Sequence, residues 1–386
     1  MSGVFFSSRW VEPPPGTEVL DPAALAQGFA AGAVACGLKP SGNTDAAVVV
    51  ARSERCDSAL LLTRNAAAAA PVRLCRESLD LNRIRAAAVK AGNANAATGE
   101  QGMRDAIEIQ AAASEALGLD PSLVAIAATG KIGEALPMDR VLDGVRRAAA
   151  AVHPDGGEEF ARAIMTTDAF PKRCTVRCEG VTLSAQAKGA GMIQPGFATM
   201  LCFVQTDALA DDPAAALRRA VSSSFERITV DGQMSTNDTV LLQASGESGR
   251  PLPEGLLDAV LLQLALQIVA DGEGATRVCR AEVRGAESVE EAERTARAIA
   301  NSPLVKTALF GHDPNGWGRV AQAAGMALAG EELPELGLDR IDVGEFAGEL
   351  REAELSVRLD RGEHSACVWF SDLGYEYVRI NAEYTT

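Results

Sequence analysis

Histidine and basic residues are scarce in this 386-residue chain, and their scarcity excludes several classes of protein. Lys and Arg number 36 against 52 Asp and Glu, so the formal charge is −16. A chain this acidic has no extended positive surface for nucleic acid or anionic membrane lipids. The three histidines, at positions 153, 312 and 364, lack HExxH spacing, so neither a metal site nor a Ser-His-Asp triad is predicted. Any catalysis must use other groups.

Cysteines and long apolar runs are also few. Eight cysteines without CxxC spacing predict reduced thiols and argue against a disulfide scaffold or a zinc site. The longest apolar run, 259–270, contains Gln263 and Gln267 and is shorter than the roughly 20 residues that span a bilayer. The first residues lack the basic start and apolar stretch of a secretory signal. We therefore expect a cytoplasmic protein with no membrane contact.

What is present is typical of a globular chain with a large core. Hydrophobic residues make up 47% of the sequence, and short apolar runs alternate with helical patterns, which favours an α/β fold. A capping box at Thr98 and Gln101 predicts a helix that ends near Gly118. The run 122–128 predicts a buried strand, which would put Thr129 and Gly130 at its C-terminal end, a common place for active sites.

The next segment predicts a hairpin followed by a loop. Two alternating runs, 174–178 and 181–187, flank the turn Glu179-Gly180. The glycine-rich stretch 188–197 then leads into a strand that begins at Thr199. Neither Gly130-Lys131 nor Gly189-Ala-Gly191 completes a phosphate loop or a dinucleotide fingerprint. No nucleotide cofactor is predicted.

Several short polar and glycine-rich segments occur in a characteristic order. They are KAGNANAATGE, AATGKIG, MTTDAFPK, KGAGMIQPGFATML, MSTNDTV, DGEGATR, NSPLVKTA and the terminal NAEYTT. From about residue 31 to residue 386 this order resembles the ornithine acetyltransferases, also called glutamate N-acetyltransferases. The resemblance implies a layered αββα sandwich with a second, smaller α/β lobe, and no metal or tightly held cofactor.

The most specific motif is the one around the family's self-cleavage site. The family pattern KGxGMxxPxxATML is matched from Lys188 to Leu201. The resemblance implies that the Ala198–Thr199 bond is cut, which would leave an α subunit of residues 1–198 and a β subunit of residues 199–386, expected to form an α2β2 heterotetramer. Thr199 would become the nucleophile. Its new α-amine, with a reference pKa of about 7.7 to 8.0, can act as the general base without histidine.

Other site residues follow from the same resemblance. Thr129 and Gly130 match the family's oxyanion hole, although a strand-ending turn would be the ordinary interpretation of this pair alone. The expected substrate contacts are Thr166, Lys188, Thr199, Glu273, Asn381 and Thr386. Lys188 suits a substrate carboxylate and Glu273 suits the ornithine ammonium, whereas solvated surface charge is the alternative for both.

The predicted activity is transfer of an acetyl group from N2-acetylornithine to glutamate. A hydrolase of the same N-terminal-nucleophile kind is the first alternative, and a non-enzymatic binding protein is the second. Acetyl-CoA is open as a further donor, but the few basic residues near the motifs predict that it is the poorer one. The sequence departs from the family at Lys90-Ala91-Gly92, where Asn-Ser-Gly is usual, and at Gly316, which is inserted.

Overall fold

The computed structural model describes residues 5–194, 200–313, 315–331, 336–337, 339–342 and 351–383. The predicted site residues Ala198, Thr199 and Thr386 lie outside the described residues. Strands and helices alternate along the described chain, which confirms the α/β fold class.

The strands are numbered in chain order. They are β1 (Glu18–Val19), β2 (Phe29–Val34), β3 (Ala46–Ala51), β4 (Asp57–Leu62), β5 (Ala86–Asn93), β6 (Val124–Lys131), β7 (Lys172–Cys178), β8 (Val181–Lys188), β9 (Leu201–Thr206), β10 (Ile228–Thr229), β11 (Thr239–Ala244), β12 (Val278–Ala286), β13 (Ile341–Asp342), β14 (Glu352–Arg358) and β15 (His364–Ser371).

The helices are numbered in the same way. They are α1 (Ala70–Ser78), α2 (Gly99–Leu117), α3 (Met138–Ala150), α4 (Gly157–Ala163), α5 (Pro213–Ser222), α6 (Leu256–Ala270), α7 (Val289–Asn301), α8 (Pro303–Phe310), α9 (Trp317–Ala327) and α10 (Tyr375–Ala382). Among the described residues, none of these helices is both long enough and apolar enough to cross a membrane.

Two sheets form the centre of the larger part of the molecule. The six-stranded sheet has the order β1-β7-β8-β9-β11-β4, and the four-stranded sheet has the order β2-β3-β5-β6. Leu201, Phe203 and Leu241 of the first sheet belong to the same buried cluster as Val48 and Ala87 of the second. The two sheets therefore share one hydrophobic core between them.

Helices cover the outer faces of both sheets. The apolar side chains of α5 and α6 join the core on one side of the six-stranded sheet, and those of α1, α2 and α3 pack with the four-stranded sheet. Eleven of the fifteen residues of α6 are buried, because this helix contacts both the six-stranded sheet and strands β12 and β15. An apolar sequence such as 259–270 is thus a core helix. The predicted αββα layering is confirmed.

A smaller lobe is built mainly from the chain after α6, and β10, which precedes α6, joins the edge of its sheet. Its five-stranded sheet has the order β10-β15-β12-β14-β13, and α7, α8 and α9 contribute to its separate hydrophobic core. Strand β12 pairs in parallel with β14 and antiparallel with β15. The predicted second α/β lobe is therefore present.

Local predictions differ from the structure in two details. The helix expected after residue 98 is present as α2, with Gly118 left-handed at its end, but Thr98 makes no capping bond. Its hydroxyl donates to the Asn95 side chain at 2.8 Å, a contact that turns the side chain toward the preceding loop. Residues Pro121–Leu123 form a 3-10 turn capped by Asp120, so the next strand starts later and extends through Thr129 and Gly130.

Candidate active site

The end of strand β6 has an irregular pairing that needs glycine. Strands β5 and β6 run in parallel, and Asn93 pairs with both Thr129 and Lys131. Gly130 has a φ of +125°, and a Cβ at this position would lie 2.3 Å from the carbonyl carbon of Gly92. Only glycine allows this close approach of two backbones. The irregularity separates the last residues of β6 from the regular ladder.

Lys188 at the end of β8 contacts this part of β6 directly. Its ammonium lies 3.2 Å from the hydroxyl oxygen of Thr129, and the lysine is only 3% exposed. An ammonium can only donate hydrogen bonds, so the Thr129 oxygen is the acceptor and the proton of its hydroxyl can point elsewhere. Burial lowers the pKa of Lys188, and the nearby Asp168 carboxylate opposes this shift.

One cavity of about 330 Å³ gathers most of the predicted site residues. Its lining includes six of them, from five separate segments of the chain: Thr129, Gly130, Thr166, Lys188, Glu273 and Asn381. The sequence motifs that were distant along the chain therefore meet at one place. Whether each residue has its predicted role stays a prediction.

Glu273 also lines the cavity, and its carboxylate is opposite in charge to the Lys188 ammonium. Its carboxylate accepts a hydrogen bond of 2.7 Å from the side-chain amide of Asn381 on α10. Its backbone nitrogen donates to the carbonyl of Ala190, and a Cβ on Gly191 would lie 2.5 Å from its carboxylate. A glycine at 191 thus leaves room for the carboxylate beside the loop that follows β8.

Two aspartates that the sequence analysis missed hold the chain on either side of residues 195–199. Asp231 accepts hydrogen bonds from the backbone nitrogens of Met192 and Ile193, at 2.5 and 2.9 Å. Asp238 accepts one from the backbone nitrogen of Met200 at 3.0 Å, and burial raises the pKa of this carboxyl well above its ordinary value. The only sequence signal for Asp238 was its place in the segment MSTNDTV.

The segment before Asp238 also lines the cavity. Ser235, Thr236 and Asn237 face it, and the Asn237 side chain donates to the carbonyl of Ala94 at 2.7 Å. A second cavity, of about 670 Å³, shares Thr166 and Thr167 with the first. In the part of the chain that the structure describes, no three His, Cys, Asp or Glu side chains are close enough together to hold a metal ion.

Comparison with known proteins assigns the family. The ArgJ family matches residues 30–386. The arginine biosynthesis bifunctional protein ArgJ of Symbiobacterium thermophilum is 45% identical, over 93% of this chain and 97% of its own length. The glutamate N-acetyltransferase of Methanosarcina mazei is 42% identical, over 92% of this chain and 97% of its own.

Solved structures include a related protein. The crystal structure of ornithine acetyltransferase complexed with ornithine from Mycobacterium tuberculosis is 37% identical, covers 46% of this chain and 98% of that chain, and has a TM-score of 0.44. The match of the family over residues 30–386 and the identities above 40% decide the assignment. The chain therefore belongs to the ArgJ family, which confirms the resemblance to the ornithine acetyltransferases that its motifs indicated.

Proposed function

We propose that this enzyme cuts itself between Ala198 and Thr199 and then transfers an acetyl group from N2-acetylornithine to glutamate through an acetyl ester on Thr199. The observation that carries the proposal is the cavity of about 330 Å³ in which six of the predicted site residues meet. The cleavage motif adjoins this cavity, because Lys188, Gly191 and Met192 line it and lie just before the motif's scissile bond.

Self-cleavage would proceed by an N-to-O acyl shift. The Thr199 hydroxyl attacks the carbonyl carbon of Ala198, the peptide C–N bond breaks, and an ester joins the two residues. Water then hydrolyses the ester, which leaves a carboxylate on Ala198 and a free amine and hydroxyl on Thr199. The hydrogen bonds of Asp231 and Asp238 to the flanking backbone would hold the segment in place for this step.

The two fragments would stay together after the cut. Strand β8 belongs to residues 1–198 and β9 to residues 199–386, and they are antiparallel neighbours in one sheet. Strand β11 of the second fragment also pairs with β4 of the first. The αβ unit is therefore expected to persist as one folded body, and two such units would form the α2β2 heterotetramer.

Acetyl transfer would follow in two half-reactions. The Thr199 hydroxyl attacks the acetyl carbonyl of N2-acetylornithine, and its proton passes through the Thr199 amine to the departing nitrogen of ornithine. The glutamate α-amine then attacks the acetyl ester, and the proton it loses returns to the Thr199 oxygen. Thr129 and Gly130 would donate to the oxyanion that forms in each half-reaction.

Charge complementarity supports the choice of substrates. N2-acetylornithine carries a carboxylate and a side-chain ammonium, and the cavity has a buried ammonium on Lys188 and a carboxylate on Glu273. Charge-assisted hydrogen bonds of this kind are about twice as strong as neutral ones. Thr166, Asn381 and Thr386 are the remaining proposed substrate contacts.

Intact-mass spectrometry of the purified protein tests the proposal. We expect two fragments, residues 1–198 and 199–386, and a gain of one acetyl group on the second after addition of N2-acetylornithine alone. Thr199→Ala should stay a single chain without transferase activity, whereas Thr199→Ser keeps a hydroxyl and should still cleave. A wild-type protein that stays uncut after long incubation would contradict the proposal.

Acetate release, measured on the same purified protein, separates the transferase from the hydrolase. A hydrolase would release acetate at a rate independent of glutamate, whereas a transferase needs glutamate as the acceptor. Acetyl-CoA is tested in a parallel sample, and we expect it to load Thr199 more slowly than N2-acetylornithine. Lys172 is buried in ion pairs, and Lys131 lies 3.6 Å from Glu134, so neither is an unopposed cation for a diphosphate.

A further inference from the structure

A deeply buried group of charges lies beside the cavity and links the segments that carry its predicted substrate contacts. The ammonium of Lys172 contacts the carboxylates of Asp168 at 2.7 Å and Asp271 at 2.6 Å. The side chains of Lys172 and Asp168 have no exposed surface, and that of Asp271 is 5% exposed. Charges buried so deeply are costly unless every partner is in place.

Asp168 is the centre of this group. Its carboxylate accepts hydrogen bonds from the backbone nitrogens of Thr166 at 2.9 Å and Gly189 at 2.7 Å, in addition to the bond from Lys172. Its second oxygen lies 4.0 Å from the Lys188 ammonium. One carboxylate therefore fixes both the backbone at Thr166 and the end of β8.

Lys172 extends the group to a third segment. Asp271, its other partner, also accepts a hydrogen bond from the backbone nitrogen of Ala169 and stands two residues before Glu273. The three segments that contain Thr166, Lys188 and Glu273 are thus joined through buried ionic contacts. None of Asp168, Lys172 and Asp271 is among the residues that line the cavity of about 330 Å³.

The charge of Asp168 matters for Lys188. Two ammonium groups and two carboxylates are buried together, so loss of one carboxylate leaves Lys188 beside the unbalanced ammonium of Lys172. A buried lysine without a compensating negative charge tends to lose its proton. The titratable groups that act on Lys188 come from four segments and are Asp168, Lys172, Glu273, Asp238 and Lys39.

We propose that Asp168 is a positioning residue that keeps the Lys188 ammonium charged and holds it, together with the Thr166 backbone, at the spacing that a substrate carboxylate requires. This inference rests on the proposed function, in which Lys188 binds the carboxylate of N2-acetylornithine.

The test compares two substitutions with opposite electrostatic effects. Asp168→Asn removes a negative charge with little change in shape, so Lys188 should lose its proton at lower pH. Lys172→Met removes a positive charge, so Lys188 should keep its proton to higher pH. Opposite charges within about 4–6 Å shift a pKa by roughly 1–3 units. The pH at which KM for N2-acetylornithine starts to rise should move down by about one unit or more in the first variant and up in the second.

The measurement is kcat and KM between pH 6 and 10, with Asp143→Asn as the matched control, since Asp143 pairs with Arg147 on the exposed face of α3. On the alkaline limb of the profile, where Lys188 is losing its proton in both proteins, we expect KM of Asp168→Asn to be roughly tenfold higher at a given pH while kcat changes little, because one pKa unit is a tenfold change in protonation ratio. Equal pH dependence in wild type and Asp168→Asn, or shifts in the same direction in both variants, would overturn the inference.

Two further variants keep the result decisive. If Asp168→Asn does not fold, Asp271→Asn removes a negative charge that lies one contact further from Lys188. The pH at which KM starts to rise should then move down by less than in Asp168→Asn. No shift in Asp271→Asn would also overturn the inference. Thr199→Ala separates the two proposals. If that variant retains turnover, the proposed function fails, whereas an inactive Thr199→Ala with a normal Asp168→Asn refutes only the role of Asp168.

Discussion

Thr129 shows how one contact can assign the direction of a hydrogen bond. The Lys188 ammonium donates to its oxygen, so the Thr129 hydroxyl can give its own proton to an oxygen in the cavity. A serine or threonine in a strand-ending turn would not need a buried ammonium as a neighbour. The contact is compatible with the proposed oxyanion role, and kinetics of Thr129 variants distinguish that role from the ordinary structural one.

We expect Thr129→Ala to lower kcat about 100- to 1,000-fold with little change in KM, because the lost donor acts mainly in the transition state. Thr129→Ser keeps the hydroxyl and the bond to Lys188 and should retain most activity. Steady-state kinetics of both variants, on protein whose cleavage has been checked by mass, are the measurement. A near-normal kcat for Thr129→Ala would assign the residue to structure alone.

At the scale of elements, strand β5 contains Lys90-Ala91-Gly92, the segment in which the sequence departs from the usual Asn-Ser-Gly of the family. Lys90 is 2% exposed, and its ammonium donates to the carbonyl of Asn93 at 2.7 Å. Asn93 is the residue whose pairing with Thr129 and Lys131 makes the ladder irregular. The lysine therefore stabilises the backbone opposite Gly130. Burial lowers the pKa of Lys90 to about 7.

This lowered pKa predicts a pH-dependent stability effect of Lys90→Met. An unfolded lysine titrates near 10.5, so at pH 6 folding must bury the ammonium, at a cost of about 1.4 kcal/mol per unit of lowered pKa. At pH 10 the lysine is neutral in the folded protein and the cost has largely gone. Lys90→Met should thus be most favourable, relative to wild type, at pH 6.

Denaturant unfolding at pH 6, 8 and 10 measures this difference. The hydrogen bond to Asn93 is also lost in Lys90→Met, at a cost of about 1 kcal/mol for a neutral donor, so the trend with pH is the diagnostic quantity and the absolute difference is not. Lys131→Met serves as the control, because Lys131 is partly exposed. A difference between wild type and Lys90→Met that stays constant across this range would contradict the burial of the charge.

Elements and site residues differed in how far the sequence predicted them. The hairpin of β7 and β8 and the helix α2 follow from periodicity and from turn and capping signals, whereas the αββα layering follows from the family resemblance. The roles of Asp168, Asp231 and Asp238 did not follow. Their contacts join distant segments, as Lys172 and Asp271 do across 99 residues, and no local pattern marks such a pair.

At the scale of the whole molecule, we expect buried lysines and buried cysteines to have opposite effects on stability at alkaline pH. Burial lowers the pKa of Lys39 and Lys306 to about 8 and that of Lys90 to about 7. In the unfolded chain these lysines keep their protons to about pH 10.5, so the unfolded state binds more protons and stability rises from pH 7 towards pH 9. The buried thiols affect the stability above about pH 9.

Desolvation raises the pKa of Cys36, Cys56 and Cys75 to about 12, and it also raises the pKa of Cys174, Cys202 and Cys279. Unfolded thiols ionise near pH 9.0, so their contribution to stability is complete below that pH and is lost as the pH rises further.

We expect the thermal midpoint to pass through a maximum close to pH 9 and to fall steeply towards pH 11. Thermal unfolding under reducing conditions, with salt to screen the net charge of −16, measures this curve. Cys75→Ala should flatten its alkaline side, and a midpoint that falls steadily from pH 7 would contradict the lowered pKa values of the three buried lysines.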